Sequence, residues 1–200
     1  MRDYRHPVSV VTKSTLIERD LELLAAIARV TEVIVFFTVT TIDPEIWRAL
    51  EPGTPPPLKR LQAMQRLREA GVPAGVFMAP VLPGITDSQA SIEAVARAAK
   101  AHGAVSFGAS PLRLGPLVKD HYLGFLREAR PELLGRYERA YVGANAPANY
   151  LQRLSERIDE ALVNTGFARN SMSRQKDDRY PSRAHPVPAG NHLQQLLLLP

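Results

Sequence analysis

Four short apolar runs, each almost free of polar interruption, constrain this chain more than any other feature: Val8 to Thr12 (VSVVT), Val33 to Thr40 (VIVFFTVT), Ala74 to Pro80 (AGVFMAP) and Ala104 to Ala109 (AVSFGA). A strand with one wet face alternates between apolar and polar residues. A strand covered on both faces does not, and parallel sheets are covered on both faces by their own crossover helices. The segments between the runs have helical periodicity, so the stretch from Pro7 to about Ser110 predicts parallel βα units.

The helices are signposted. Thr15 with Glu18 fits a capping box, and Ile17, Leu21, Leu24 and Ala28 follow as one stripe. Leu61, Met64 and Leu67 make a second stripe, stopped by Gly71 with Pro73 beyond it. Thr86 with Gln89 fits another capping box ahead of Ile92, Val95 and Ala99, and Gly103 closes that helix. Glu51 to Pro57 (EPGTPPP) holds too many prolines to be helical and predicts a rigid extended loop. Beyond Pro111 only helices are expected, over Val118 to Glu128, Pro131 to Tyr141 and Pro147 to Asn164, the last burying Leu151, Leu154, Ile158 and Leu162. From Gly166 onward the residues are basic and polar, with prolines and no period, which predicts disorder. The expected organisation is 1–115 as the βα part, 116–165 as a helical extension and 166–200 as a disordered basic tail.

Composition narrows the chemistry. The 200 residues contain no cysteine, which removes disulfides, thiol nucleophiles, Cys-ligated zinc and iron–sulfur clusters held by this chain's own thiolates. A net charge of +5 permits an anionic partner without requiring one. There is no apolar run of membrane-spanning length and no secretory signal in the first residues, so a cytoplasmic protein with no membrane partner is expected. His6, His102, His121, His185 and His192 have no ligand spacing, so no metal residues are assigned.

Four βα units are short of an eight-unit barrel, which takes about 250 residues, and a parallel sheet that stops at its first strand leaves an unpaired edge. The reading is the later half of a barrel whose earlier strands are missing, with a small open four-stranded sheet as the alternative. Ligands of parallel βα folds bind at the C-terminal ends of the strands. Those positions are Thr12, Lys13, Thr38, Thr40, Thr41, Asp43, Ala79, Pro80, Ser110 and Arg113. Hydroxyls and a carboxylate there suit a small polar ligand or, equally, simply cap helices. Lys13 is either a solvated loop lysine or the cation that fixes a carboxylate or phosphate. Arg113 and Lys119 near His121 and Tyr122 form either a basic aromatic patch or a solvated helix face.

The string VVTKSTLIERDLEL, then VFFTVTTID, then LEPGTPPPLKRLQAMQRLREAGVPAGVFMAPVLPGITD resembles the middle and late barrel of radical S-adenosylmethionine proteins of the spore photoproduct lyase, or DNA repair photolyase-like, type. LRLGPLVKDHYLGFLREARPELLGRYERAY resembles the helical part of a bacterial branch of that group. The resemblance covers about Met1 to Ala161. It implies an α/β fold, a partial (β/α)6 TIM-like barrel, in which S-adenosylmethionine binds beside a [4Fe-4S] cluster. Reductive cleavage to a 5′-deoxyadenosyl radical and hydrogen abstraction would follow. The resemblance implies cofactor-binding roles for Lys13 and Thr38 at the methionyl carboxylate and ribose side, with Thr40 beside them and Ala79 and Pro80 at the adenine. It assigns no catalytic residue here.

One departure bears on activity. The family holds its cluster with a C-x3-C-x2-C loop after the first barrel strand, and this chain has neither loop nor cysteine. The chain is therefore expected to be an incomplete, truncated portion of a longer protein. The alternative is a non-catalytic nucleotide- or nucleic-acid-binding remnant that uses the rim together with Arg169, Arg174, Lys176, Arg179 and Arg183. A third reading makes Lys13 a Schiff-base nucleophile. DNA or another anionic substrate is the expected partner. Gln195 with Leu196 to Leu199 loosely resembles a sliding-clamp-binding peptide, though without its aromatic anchor, and otherwise reads as an end that docks on its own core.

Overall fold

A computed structural model describes residues 3–168 of the chain. Four parallel strands form one sheet in sequence order: β1 (Val8–Thr12), β2 (Val33–Thr38), β3 (Ala74–Val81) and β4 (Phe107–Pro111). The register pairs Val10 with Val35, Phe37 with Val76, and Val76 with Phe107. Between the strands run a 3-10 turn (Thr15–Asp20) leading into α1 (Leu21–Ala28), then α2 (Pro44–Leu50) and α3 (Pro57–Glu69), then α4 (Gln89–Ala101). Three helices follow: α5 (Pro116–Ala129), α6 (Pro131–Ala140) and α7 (Ala148–Thr165). This is the expected α/β arrangement of parallel strands followed by helices. The expected disordered tail and the Gln195–Leu199 peptide lie outside the described residues, apart from the first residues after Gly166. No helix among the described residues is long and apolar enough to cross a membrane.

The sheet separates its side chains by alternation. Val33, Val35 and Phe37, Ala74, Val76 and Met78, and Phe107 enter the core, where they meet Leu61, Met64 and Leu67 of α3 and Ile92, Val95 and Ala99 of α4. Each of the three large α3 side chains is fully buried, worth roughly 1.5–3 kcal/mol apiece in apolar transfer. The opposite set, including Phe36 and Phe77 in edge contact at 6.5 Å, lies on the other face. There Gly75 is pressed so closely against Ser106 that a Cβ would sit 2.5 Å from its carbonyl oxygen.

Two predicted helix starts shift. Ser14, not Thr15, caps the first turn by accepting from Leu16 N at 3.1 Å, while Glu18 pairs with Arg66 instead of closing a box. Thr86 is buried and accepts from Leu82 N at 2.8 Å inside the loop, leaving Ser88 to cap α4 through Ser91 N at 3.1 Å. The Thr86 hydroxyl is thus already used inside its own loop, and at the first helix it is the expected acidic partner Glu18 that is drawn away. The short α2 is an element that the sequence reading did not contain. β2 stops at Thr38, two residues early, because the chain turns at Thr41, whose Oγ1 accepts from Asp43 N at 3.0 Å.

The later helices share the same core, through Tyr137, Leu154 and Leu162. Asp87, in the loop after β3, joins them to the sheet. Its Oδ1 accepts from Gly84 N at 2.7 Å, its Oδ2 from the Tyr150 hydroxyl at 3.1 Å, and its backbone oxygen from Arg157 at 3.0 Å. Lys100 of α4 donates to Gly166 O at 2.8 Å with its ammonium 4.6 Å from the Phe167 ring centre, fastening the end of α7.

Candidate functional site

At the C-terminal ends of β1, β2 and β3 the chain gathers a charged network. Thr12 Oγ1 accepts from Ser14 N at 2.9 Å, a tight turn that carries Lys13 out over the rim. α2 starts on Asp43, whose Oδ1 accepts from Glu45 N at 2.8 Å and Ile46 N at 3.1 Å, and it ends at Glu51. The proline-rich segment then returns the chain to α3, which places Arg60 in the helix's first turn beneath Glu51. Rigid prolines fix the distance between the two charges, since each locks its own φ.

Arg60 is completely buried. Its Nε donates to Pro55 O at 2.7 Å, its Nη1 to Thr38 O at 2.8 Å, and its Nη2 to Glu51 Oε2 and Thr54 Oγ1, both at 2.6 Å. Thr54 in turn donates to Glu51 O at 2.7 Å and accepts from Trp47 Nε1 at 3.1 Å. The second carboxylate oxygen, Glu51 Oε1, receives the Lys13 ammonium at 2.9 Å and the Thr40 hydroxyl at 3.0 Å. Thr40 Oγ1 also lies 3.3 Å from Ala79 O. A hydroxyl has one proton to give, and the charged acceptor is the stronger one.

Burial works to raise the Glu51 carboxyl's pKa, but the hydrogen bonds from Lys13 and Arg60 and their charges outweigh it, so the group is held below the ordinary carboxylate value. The Glu51 carboxylate is therefore ionised near neutrality. Two cations and one anion leave one net positive charge, carried at the solvent end by Lys13, whose side chain is 41% exposed against 9% for Glu51 and 0% for Arg60.

The structure thus brings together Lys13, Thr40 and the Ala79 carbonyl, with Thr38 attached through its backbone oxygen and Pro80 next in chain after a cis Ala79–Pro80 peptide. It does not recruit Thr41 and Asp43, which serve the turn and the α2 cap as the capping alternative held. Arg113 is in a backbone bridge with Asn145. Lys119 donates to Tyr141 O at 2.5 Å and Tyr122 packs against Tyr137 at 5.5 Å, so two members of the basic aromatic patch are occupied structurally. The residues that sequence reasoning missed are Glu51 and Arg60. Their signal was an acid and an arginine on either side of the triple-proline loop.

A second feature sits beside the loop after β3. Tyr137 and Tyr141 stack with ring centres 5.6 Å apart, and with Tyr150 they wall a cleft of about 140 Å3 rimmed by Arg136 and Arg153. The hydroxyls turn inward, Tyr137 to Pro83 O at 2.8 Å and Tyr141 to Leu112 O at 3.2 Å. Burial pushes all three phenols well above the ordinary tyrosine value, helped at Tyr150 by the Asp87 charge.

No group of three or more His, Cys, Asp or Glu able to hold a metal occurs among the described residues. The rim offers what an organic ligand with an anionic end would use: a partly exposed cation, a hydroxyl and the backbone at the end of β3.

The sequence profile of the radical SAM superfamily matches residues 2–99. An uncharacterized protein of Mycobacterium tuberculosis is 37% identical over 153 residues, 76% of this chain and 45% of that protein. An uncharacterized protein of Methanocaldococcus jannaschii is 29% identical over 85 residues, 42% of this chain and 32% of its own length. The chain thus spans about 45% of the length of the mycobacterial relative it matches. Among solved structures, a spore photoproduct lyase mutant superposes with a TM-score of 0.59 at 17% identity, covering 80% of this chain and 48% of that one. At that identity the likeness is one of fold.

Proposed function

We propose, from the premise that this chain belongs to the radical SAM superfamily, that its rim binds S-adenosylmethionine through its own side chains while the iron–sulfur centre depends on thiolates that these residues do not contain. The observation that supports the reading is the net positive charge of the Lys13–Glu51–Arg60 network at the strand ends, presented by Lys13 and held there by Glu51. Lys13 would take the methionyl carboxylate, an ammonium–carboxylate pair being a strong charge-assisted contact. Thr40 would meet the ribose hydroxyls, and the backbone at Ala79 and Pro80 the adenine edge, with Thr38 on the ribose side. Superfamily chemistry with the bound cofactor is reductive cleavage to a 5′-deoxyadenosyl radical that abstracts hydrogen from a substrate.

The cluster is a different matter. It needs thiolate ligands, the sequence has no cysteine, and no substitute group of ligands is present among the described residues. These residues do not fit a [4Fe-4S] centre, so the part this chain plays is to bind and orient the nucleoside. DNA, or another anionic molecule, remains the proposed substrate class.

Calorimetry on the full chain tests the reading. S-adenosylmethionine is expected to bind the unaltered protein, and Lys13→Met to weaken it about tenfold, which is ~1.4 kcal/mol. Anaerobic incubation with iron and sulfide is expected to leave the chain without a cluster absorbance. No affinity in the unaltered chain, or an affinity indifferent to Lys13, refutes the assignment. The absence of thiolates favours a second reading, a binding module without catalysis. That reading gains if DNA binds with a steep salt dependence while the adenosyl ligand does not.

A further inference from the structure

The order of charges from the interior outward is Arg60, Glu51, Lys13, and the two oxygens of Glu51 are divided between the cations on either side of it. Oε2 is committed to a wholly buried guanidinium that is itself anchored on the Thr38 and Pro55 carbonyls. Oε1 faces the rim and receives Lys13 and Thr40. Were Glu51 alone beside Lys13, it would cancel the lysine's charge and spoil it for an anion. Because Arg60 already balances the carboxylate, Glu51 sets where the ammonium sits without neutralising the site. A lysine on a flexible four-carbon stem has many rotamers, and a ligand that must order such a side chain forfeits affinity.

We propose that Glu51, braced by Arg60, is a positioning residue that pins Lys13 and thereby makes the site discriminate adenosyl ligands that carry a carboxylate from those that do not. This rests on the reading that Lys13 takes that carboxylate. The specificity is achieved by pre-ordering one cation, and the nucleoside end of the ligand is indifferent to it.

The test uses the full chain and two thioethers with the same nucleoside, S-adenosylhomocysteine with its amino-acid end and 5′-methylthioadenosine without it. Glu51→Asp keeps the charge count of the network and retracts the carboxylate by one methylene, so that it can no longer reach both partners. Calorimetry is expected to show roughly five- to tenfold weaker binding of S-adenosylhomocysteine, with methylthioadenosine unchanged within about twofold. Equal weakening of both ligands makes Glu51 merely structural and overturns the proposal. So does unchanged S-adenosylhomocysteine binding in Glu51→Asp while Lys13→Met still weakens it. If instead Lys13→Met leaves S-adenosylhomocysteine untouched, it is the underlying reading that fails. Should Glu51→Asp not fold, the Lys13 ammonium nitrogen resonance of the unaltered protein decides. A resolved, slowly exchanging signal moved by S-adenosylhomocysteine and not by methylthioadenosine supports the pin. A signal averaged like that of a free lysine overturns it.

Discussion

Replacing Arg60 by methionine removes the interior end of the charged network and leaves the rest of α3 its apolar stripe. The guanidinium makes four hydrogen bonds, two of them to the backbone carbonyls of Thr38 and Pro55. Breaking a buried pair from one side costs about 3–5 kcal/mol, because the remaining charge stays in place. Here Lys13 still faces Glu51 Oε1 and offsets part of that. The two carbonyls losing their donor add a penalty of roughly 1–3 kcal/mol each if water does not reach them. The expected loss at neutral pH is about 4 kcal/mol, a large share of the ~5–15 kcal/mol that holds a domain together.

Urea unfolding would show that loss as a lower midpoint at unchanged slope. The pH dependence carries the sharper check. Glu51's folded pKa is depressed, so its contribution is present above the unfolded carboxylate value and is lost as pH falls through the folded one. In acid, with Glu51 neutral, the unaltered protein keeps a buried guanidinium with no counter-charge, and the gap between the two proteins narrows. Arg60→Met with Glu51→Met, which removes both charges, is expected to lose only about 2 kcal/mol, the part due to the carbonyls. A single-variant loss below ~1 kcal/mol, or one that is flat from neutral pH into acid, would show that the pair is not what holds the loop.

Two further outcomes follow from the packing. Gly75→Ala would drive its Cβ to 2.5 Å from Ser106 O, a backbone atom that cannot swing away, so chemical denaturation should reveal a loss of about 2–3 kcal/mol; near-neutral behaviour would mean that β3 and β4 are looser than described. The phenols of Tyr137, Tyr141 and Tyr150 have raised folded pKa values, so the stability they represent is complete below the ordinary tyrosine value and is withdrawn as pH rises above it. An alkaline titration followed by tyrosinate absorbance should find them ionising together with the loss of near-ultraviolet dichroism, and independent ionisation in a still-folded protein would contradict the burial.

The strands were legible because strands covered on both faces leave an unbroken apolar signature, and β1 was read at its observed limits. β4 was placed three residues early. Ala104 and Val105 read as part of the apolar run, and Val105 N does bond to Ala74 O at 2.9 Å, but the ladder proper begins at Phe107. Helical stripes fared as well as the strands: Leu61, Met64, Leu67, Ile92, Val95 and Ala99 are all in the core. The caps fared worse, because whether Thr15 or Ser14 receives the backbone N–H depends on where Glu18 is drawn by Arg66, half the barrel segment away in sequence. At the rim, strand ends in the sequence pointed to Lys13, Thr40 and Ala79 among other positions, and the structure brings these three together. Glu51 and Arg60 were not legible, because no local pattern announces that a surface-type acid and a surface-type arginine will be buried against each other. Only the path of the proline loop brings them into contact.

The sheet order ends at β1, and Val11 on that strand is 58% exposed. An outer parallel strand with a half-bare apolar face is a template for another extended segment. Preparations of the chain on its own should therefore be governed by concentration: dilute samples monodisperse, concentrated ones prone to ribbon-like self-association along that border, and charge introduced at Val11 the simplest way to keep them in solution.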